Sequence, residues 1–172
     1  FEVRNVHEVL GGGLAFMRRG WKVATVKHAH HAVDIDRPGT DSFRHRVAGA
    51  SEVALVVGLR YAIMREQPQA PLAEVLARLA PADLVLVEGY KREPHLKIEV
   101  RSDNSRPLAP DDPHILAIAV DQPPTDSPLP WFRRDDAAGF AATTRAWGNY
   151  WQAGVSVPYQ VTAHTRLLVG WT

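Results

Sequence analysis

The sequence predicts an α/β protein, a mostly parallel twisted sheet with helices on both faces and an additional edge β segment. Three observations carry this expectation. Short apolar runs at 23–26 (VATV), 83–87 (DLVLV) and 115–120 (ILAIAV) have the composition of strands buried on both faces, the kind found in parallel sheets. Leu72, Val75, Leu76 and Leu79 between them follow the i, i+3, i+4, i+7 spacing of a helix packed on one side. Ionisable residues collect directly after two of the strands, at the carboxyl ends where open α/β sheets bind ligands. The chain has 172 residues, 45% of them hydrophobic, which suits one domain over 1–172 with a single core.

Taken in order, residues 1–20 place Val3, Val6, Val9, Leu10, Leu14 and Met17 at helical spacing. Gly11, Gly12 and Gly13 predict a break within that helix, and Gly20 its stop. A strand over 21–26 follows, then a polar loop, then a short helix from Asp41 to Ala48 closed by Gly49, with Asp41 or Ser42 as cap. Ser51 to Val57 is β-branched, and Arg60 to Arg65 is expected to pair with it at an edge. Pro68 and Pro71 open the helix of the leucine stripe, and Pro81 ends it. Lys97 to Val100 alternates as a half-exposed strand should, 101–113 reads as a proline-rich loop, and 123–130 as irregular. Asp135 and Asp136 begin a last helix, with acids where its dipole favours them. The segment 154–164 is mixed, and 166–170 is a strand running into a glycine turn.

A formal charge of +1 and a pI near 8.3 provide no basic stripe for a nucleic-acid backbone. Absent cysteine excludes disulfides, thiolate zinc sites and cysteine nucleophiles, and fits a reducing cytoplasm. Every apolar stretch is interrupted within about ten residues, so no membrane span is expected. Lys27, His28, His30, His31, Asp34, Asp36, Arg37, Asp41, Ser42 and Arg44 crowd the loop after the first strand, around a Pro38-Gly39 turn. Glu88 ends the next strand, with Gly89 and Lys91 behind it. An acid there orients Mg²⁺ through water in nucleotide sites, and its ordinary structural role is a salt bridge to Lys91 or Lys27. Lys27 suits a phosphate in the same way, or a bridge to Glu88 or Asp36. His28 and His30 with Asp34 and Asp36 also form a possible metal set, weakened by the lack of a second, distant ligand pair. His45, His95 and His114 are read as surface or packing residues, and Trp131, Trp147, Tyr150 and Trp151 as structural.

The runs VATVKHAHHAVDIDRPGTDSFRHRVAGA, DLVLVEGYKREPHLKIEV and APDDPHILAIAVD together resemble the molybdopterin-guanine dinucleotide biosynthesis adapter (MobB) family over about residues 20–122. The resemblance implies a P-loop NTPase-like, GTP-binding, dimeric adapter in molybdenum cofactor biosynthesis. Its implied partners are the guanylyltransferase that attaches GMP to molybdopterin and the molybdoenzymes that receive the cofactor. Matching positions assign Lys27, His28, His31, Asp36, Asp41 and Ser42 to the family's loop, and Glu88, Gly89 and Lys91 to its Walker B-like strand end. Glu88 is the implied catalytic residue, Glu88 and Asp41 the Mg²⁺ ligands, and GTP with Mg²⁺ the cofactors.

One motif departs from that pattern. The 172 residues contain no Gly-Lys-Thr or Gly-Lys-Ser, the phosphate-binding end of a P-loop. LLVGWT at 167–172 looks like the family's first strand and the opening of its loop, with Gly170 at the turn, while 1–20 take the place of the helix that follows. Joining the ends sets Val3, Arg4 and Asn5 where Gly, Lys and Thr belong. A circularly permuted or rebuilt domain and a native chain order with lost P-loop function are both consistent with this, and both imply impaired GTP and Mg²⁺ binding. The leading expectation is an adapter of this type with at most weak GTPase activity. The alternatives are a non-hydrolytic binding module for molybdopterin or a partner protein, and a metal-dependent hydrolase centred on His28, His30 and Asp36.

Overall fold

The computed structural model describes residues 16–29, 34–68, 70–101, 106–146 and 166–171, with backbone alone for 144–146 and 166–171. The expected helix break at Gly11–Gly13, the positions Val3, Arg4 and Asn5, His30 and His31, the segment 154–164, and Trp147, Tyr150 and Trp151 lie outside the described residues. The strands are β1 (Val23–Lys27), β2 (Glu52–Val57), β3 (Arg60–Arg65), β4 (Leu84–Glu88), β5 (Lys97–Val100), β6 (Ile115–Ala119), β7 (Trp131–Phe132) and β8 (Arg166–Trp171). The helices are α1 (Asp41–Val47), α2 (Leu72–Ala77) and α3 (Ala137–Ala146). The chain forms two compact units, Phe1–His28 with Val75–Thr172, and Ala29–Glu74.

The first unit holds a six-stranded sheet in the order β1-β4-β8-β5-β6-β7, parallel at every pairing. Leu84, Leu86, Ile98, Val100, Ala117 and Ala119 form one buried face, covered by Phe16 and by Phe140 and Ala141 of α3. On the opposite face of β4, Val85 and Val87 are buried as well, so this strand is apolar throughout for the reason its sequence suggested. Burying each such side chain contributes roughly 1.5–3 kcal/mol. Asp136 caps α3, its Oδ1 accepting from the backbone N–H groups of Ala138 and Gly139 at 3.0 and 2.8 Å.

Strand β8 lies between β4 and β5, in a central slot of the sheet. Its register sets Glu88 opposite Gly170 and Gly170 opposite Ile98, while Lys27 on β1 faces Glu88. One row across four strands thus reads Lys27, Glu88, Gly170, Ile98.

In the second unit, β2 and β3 pair antiparallel in their own two-stranded sheet. The hairpin itself was legible; hydrogen bonding to an edge of the main sheet does not occur among the described residues. The cap of α1 is Thr40, one residue before Asp41: its Oγ1 accepts from Phe43 N at 3.4 Å. Gly49, at φ 98°, closes that helix as expected. Helix α2 is shorter than its leucine stripe, ending at Ala77, after which Arg78 and Leu79 donate to Val75 and Leu76 in tighter i to i−3 turns. Trp131, read as structural, forms part of the short strand β7.

The largest correction concerns β5. Its alternation of Lys97, Ile98, Glu99 and Val100 resembles a strand with one wet face, yet all four residues are buried. The charges on that face are satisfied inside the protein, as described below.

Candidate functional site

The carboxyl end of the parallel sheet is built from β1, β4 and β8. Each apolar run stops where the next residue is polar or glycine, which brings Lys27, Glu88 and Gly170 into line. Lys27 Nζ lies 2.7 Å from Glu88 Oε1, with the lysine more than half exposed and the glutamate largely covered. The ladder continues one step past β1, where His28 N donates to Glu88 O at 2.8 Å. Gly89 then turns the chain at φ 92°, and a Cβ there would sit 2.8 Å from His28 Cβ. Only glycine meets both demands, the backbone angle and the close approach. Tyr90 follows at φ 51°, its ring 4.5 Å from the His28 ring centroid to centroid. Burial pushes the Tyr90 phenol up, and the charge of Glu93 adds to the effect. Lys91 is exposed, and its carbonyl accepts from Lys97 Nζ at 2.9 Å.

Asp36, Asp41 and Ser42 belong to the second unit. Asp36 is buried, and its Oδ1 accepts from Arg37 N at 3.0 Å, Ser42 Oγ at 2.9 Å and Thr40 Oγ1 at 3.4 Å. Its Oδ2 has no hydrogen-bond partner among the described residues and lies 3.9 Å from Arg46 Nε. Arg46 gathers the loop: its guanidinium meets Asp34 Oδ2 and Glu66 Oε1, each at 2.7 Å, and stands 5.2 Å over the Phe43 ring. The backbone N–H of Asp36, followed by Arg46, holds the Asp34 carboxyl below the usual carboxylate range. An open cleft beside this hub is lined by Asp34, Arg46, Arg65 and Glu66, with Ile35, Ile63 and Met64. Asp41 is exposed, its carboxylate 3.5 Å from Arg44 on the same helix. The predicted loop residues therefore divide: Asp36 and Ser42 are bonded to each other, Asp41 faces solvent, and His31 lies outside the described residues. Among the described residues no group of three or more His, Cys, Asp or Glu is placed to hold a metal ion.

Sequence reasoning missed the buried charges behind the site. Lys97 is 1% exposed, and its ammonium donates to Lys91 O, Glu93 O and Asp112 Oδ2 at 2.8–2.9 Å. Glu99 accepts from Leu108 N, Ala109 N and Arg101, while Arg101 also reaches Asp126 at 2.7 Å. These contacts fasten three loops to β5. His95 fits the packing role expected of it: burial pushes its imidazole below the ordinary range, against an upward pull from Glu93. The one sequence signal was Lys97, Glu99 and Arg101 at alternate positions beside a fully apolar neighbour strand, a placement that requires buried partners.

Similarity to known proteins agrees with this architecture. The family model for "Molybdopterin guanine dinucleotide synthesis protein B" matches residues 14–121, well over half of the chain. The chain belongs to the MobB family. The MobB match spans β1 to β6 and so includes Lys27, His28, Glu88 and Gly89. The chain is similar to a Haemophilus influenzae molybdopterin-guanine dinucleotide biosynthesis adapter protein, 41% identical over 106 residues, covering 59% of this chain and 60% of the relative. An Escherichia coli protein of the same name is 35% identical over 117 residues, covering 63% of this chain and 67% of its own length. This MobB chain thus spans about 60% of the length of the first of these relatives. The crystal structure of a MobB homologue from Bacillus stearothermophilus superposes with a TM-score of 0.56 at 30% identity, covering 76% of this chain and 80% of that one. A P-loop-type α/β fold is consistent with that likeness.

Proposed function

We propose that this chain acts as a nucleotide-binding adapter in molybdopterin guanine dinucleotide biosynthesis, working as one functional domain over 1–172. The observation that carries the reading is the row of Lys27, Glu88 and Gly170 at the carboxyl ends of three adjacent parallel strands, where α/β sheets bind ligands. GTP with Mg²⁺ is the ligand in this reading. Glu88 orients the Mg²⁺ or its water, and Lys27 leaves Glu88 to meet a phosphate. Gly89 lets the chain turn with His28 packed directly against it, which brings the imidazole to the rim. His28 and Lys91 complete the recognition surface of this unit, and the family resemblance separately implies ligand contacts for Asp36, Asp41 and Ser42. Lys27 is the cation of the described row and the group that meets phosphate charge in this reading.

Titration calorimetry with GTP and Mg²⁺ tests this. Binding on the order of micromolar that Glu88→Ala weakens supports it. No binding, or stoichiometric zinc or iron that His28→Ala removes, overturns it. The pairing of Lys27 with Glu88 favours a second reading, a binding module that holds a phosphate-bearing pterin without hydrolysis, recognised by unchanged GTP levels after prolonged incubation.

The partners in this reading are a molybdenum cofactor guanylyltransferase, receiving molybdoenzymes and a second copy of the chain, in the cytoplasm. Self-association is supported by the β2–β3 hairpin, where Val56, Val57, Leu59, Tyr61 and Ile63 are all exposed. A two-stranded ribbon is marginal alone and gains by burying such a surface. Light scattering of the purified chain, with Leu59→Asp and Tyr61→Asp together, checks it: a dimer that dissociates supports the role, and a monomer throughout rejects it.

A further inference from the structure

The turn after β4 contains a backbone conformation that its sequence does not require. Tyr90 has φ 51°, and among the described residues it is the non-glycine residue with positive φ. That region suits glycine, and a bulky side chain persists there only where the surroundings hold it. Such outliers gather at ligand sites, and this one follows Glu88 by two residues.

The geometry points to Tyr90 as a positioning residue that fixes the imidazole of His28 at the rim of the strand-end site for contact with the anionic part of a ligand. This rests on reading the strand ends as a nucleotide site. Side chains alternate across a strand, so His28 leaves β1 on the face opposite Lys27, whose side chain is tied to Glu88. The rim is therefore bracketed by the ion pair on one face and by the His28–Tyr90 pair on the other. Two contacts hold the imidazole. Gly89 lies against His28 Cβ and O, which sets the root of the side chain. The Tyr90 ring, 4.5 Å away and tilted by 35°, sets its rotation. The left-handed angle at Tyr90 is what carries the phenol ring back over His28 immediately after a turn at Gly89, itself at φ 92°. A ring held in one orientation directs its nitrogen lone pair and N–H without the rotational freedom that an exposed histidine would lose on binding.

Two variants of the full chain test this. Tyr90→Gly removes the ring while accepting the backbone angle, so folding is retained, and Tyr90→Phe keeps the ring. Imidazole resonances of His28, assigned by their loss in His28→Gln, are expected to shift in Tyr90→Gly and to return in Tyr90→Phe. Affinity for Mg²⁺-GTP is expected to fall roughly tenfold in Tyr90→Gly and to be restored by Tyr90→Phe. The proposal is overturned if the His28 resonances are unmoved in Tyr90→Gly, if affinity there equals that of the parent, or if Tyr90→Phe loses as much as Tyr90→Gly. A parent chain that binds neither Mg²⁺-GTP nor inorganic triphosphate instead overturns the nucleotide reading and the ligand contact of His28 with it, while the resonance comparison still decides whether Tyr90 orients the ring.

Discussion

The ion pair at the ends of β1 and β4 and the charged row along β5 draw on the same residue types within one sheet, but their surroundings differ. Lys27 and Glu88 meet in one 2.7 Å contact, and the lysine is mostly in water. Lys97, Glu99 and Arg101 are each less than a tenth exposed, and Lys97 and Glu99 each meet three partners. An exposed pair of the first kind is worth little and exchanges partners readily. A buried, multiply bonded network is costly to break from one side, because the group left behind has neither water nor partner. Burial and the number of partners, more than the identity of the charge, separate the exposed strand-end pair from the scaffold.

Four experiments would break or sharpen this contrast. Glu99→Leu should cost most, roughly 3–5 kcal/mol of unfolding free energy, because Arg101 and the N–H groups of Leu108 and Ala109 lose their acceptor. Chemical denaturation measures it, and a cost under about 1 kcal/mol would erase the distinction. Gly89→Ala comes next, at about 1–3 kcal/mol, from positive φ and the contact with His28 combined. It marks a point beside the exposed pair where substitution is costly in its own right.

Acid provides the third. Burial alone would raise the Asp112 carboxyl, yet Lys97 and His114 hold it below 3.8, and Arg101 does the same for Asp126. Both folded values are depressed, so the stability they contribute is present above the ordinary carboxylate value and is lost as pH falls through the folded values. The denaturation midpoint should drop steeply below about pH 4, and Lys97→Met should flatten part of that slope. An unchanged slope in that variant would show that Asp112 is not held by Lys97. Lys27→Ala should have the smallest effect on stability, within about 1 kcal/mol, while weakening Mg²⁺-GTP in calorimetry. A large stability loss there would move Lys27 to the scaffold side.

Much of the scaffold was legible because its signals are local. β4 and β6 are contiguous apolar runs, the hairpin is a β-branched stretch and a second short run around a glycine, and Lys27 and Glu88 stand out by ending apolar runs. What was not legible depends on distant partners. Nothing near β5 says that its lysine meets Asp112 or that the arginine after it meets Asp126, so the alternation by itself describes a wet face. Arg46 joins residues from either side of its helix, Asp34 and Glu66, and appears in sequence as one basic residue among several. The shift of the α1 cap from Asp41 or Ser42 to Thr40 is smaller: three adjacent polar residues suit the role, and the hydroxyl that accepts from Phe43 N decides it. Tyr90 was silent because tyrosine has no preference for positive φ, whereas glycine beside it does.

Strand β8 has a consequence for how the sheet assembles. It is the hydrogen-bonded link between β1–β4 on one side and β5–β6–β7 on the other. Until it docks, β4 and β5 each present an unpaired edge, and the residue that meets Glu88 comes from far along the chain. Closure of the sheet is therefore a non-local event, slow relative to hairpin or helix formation, during which the two half-sheets are open to pairing with other chains. The same strand that sets Gly170 beside Glu88 is the keystone of the fold, so aligning that row and finishing the sheet are a single step.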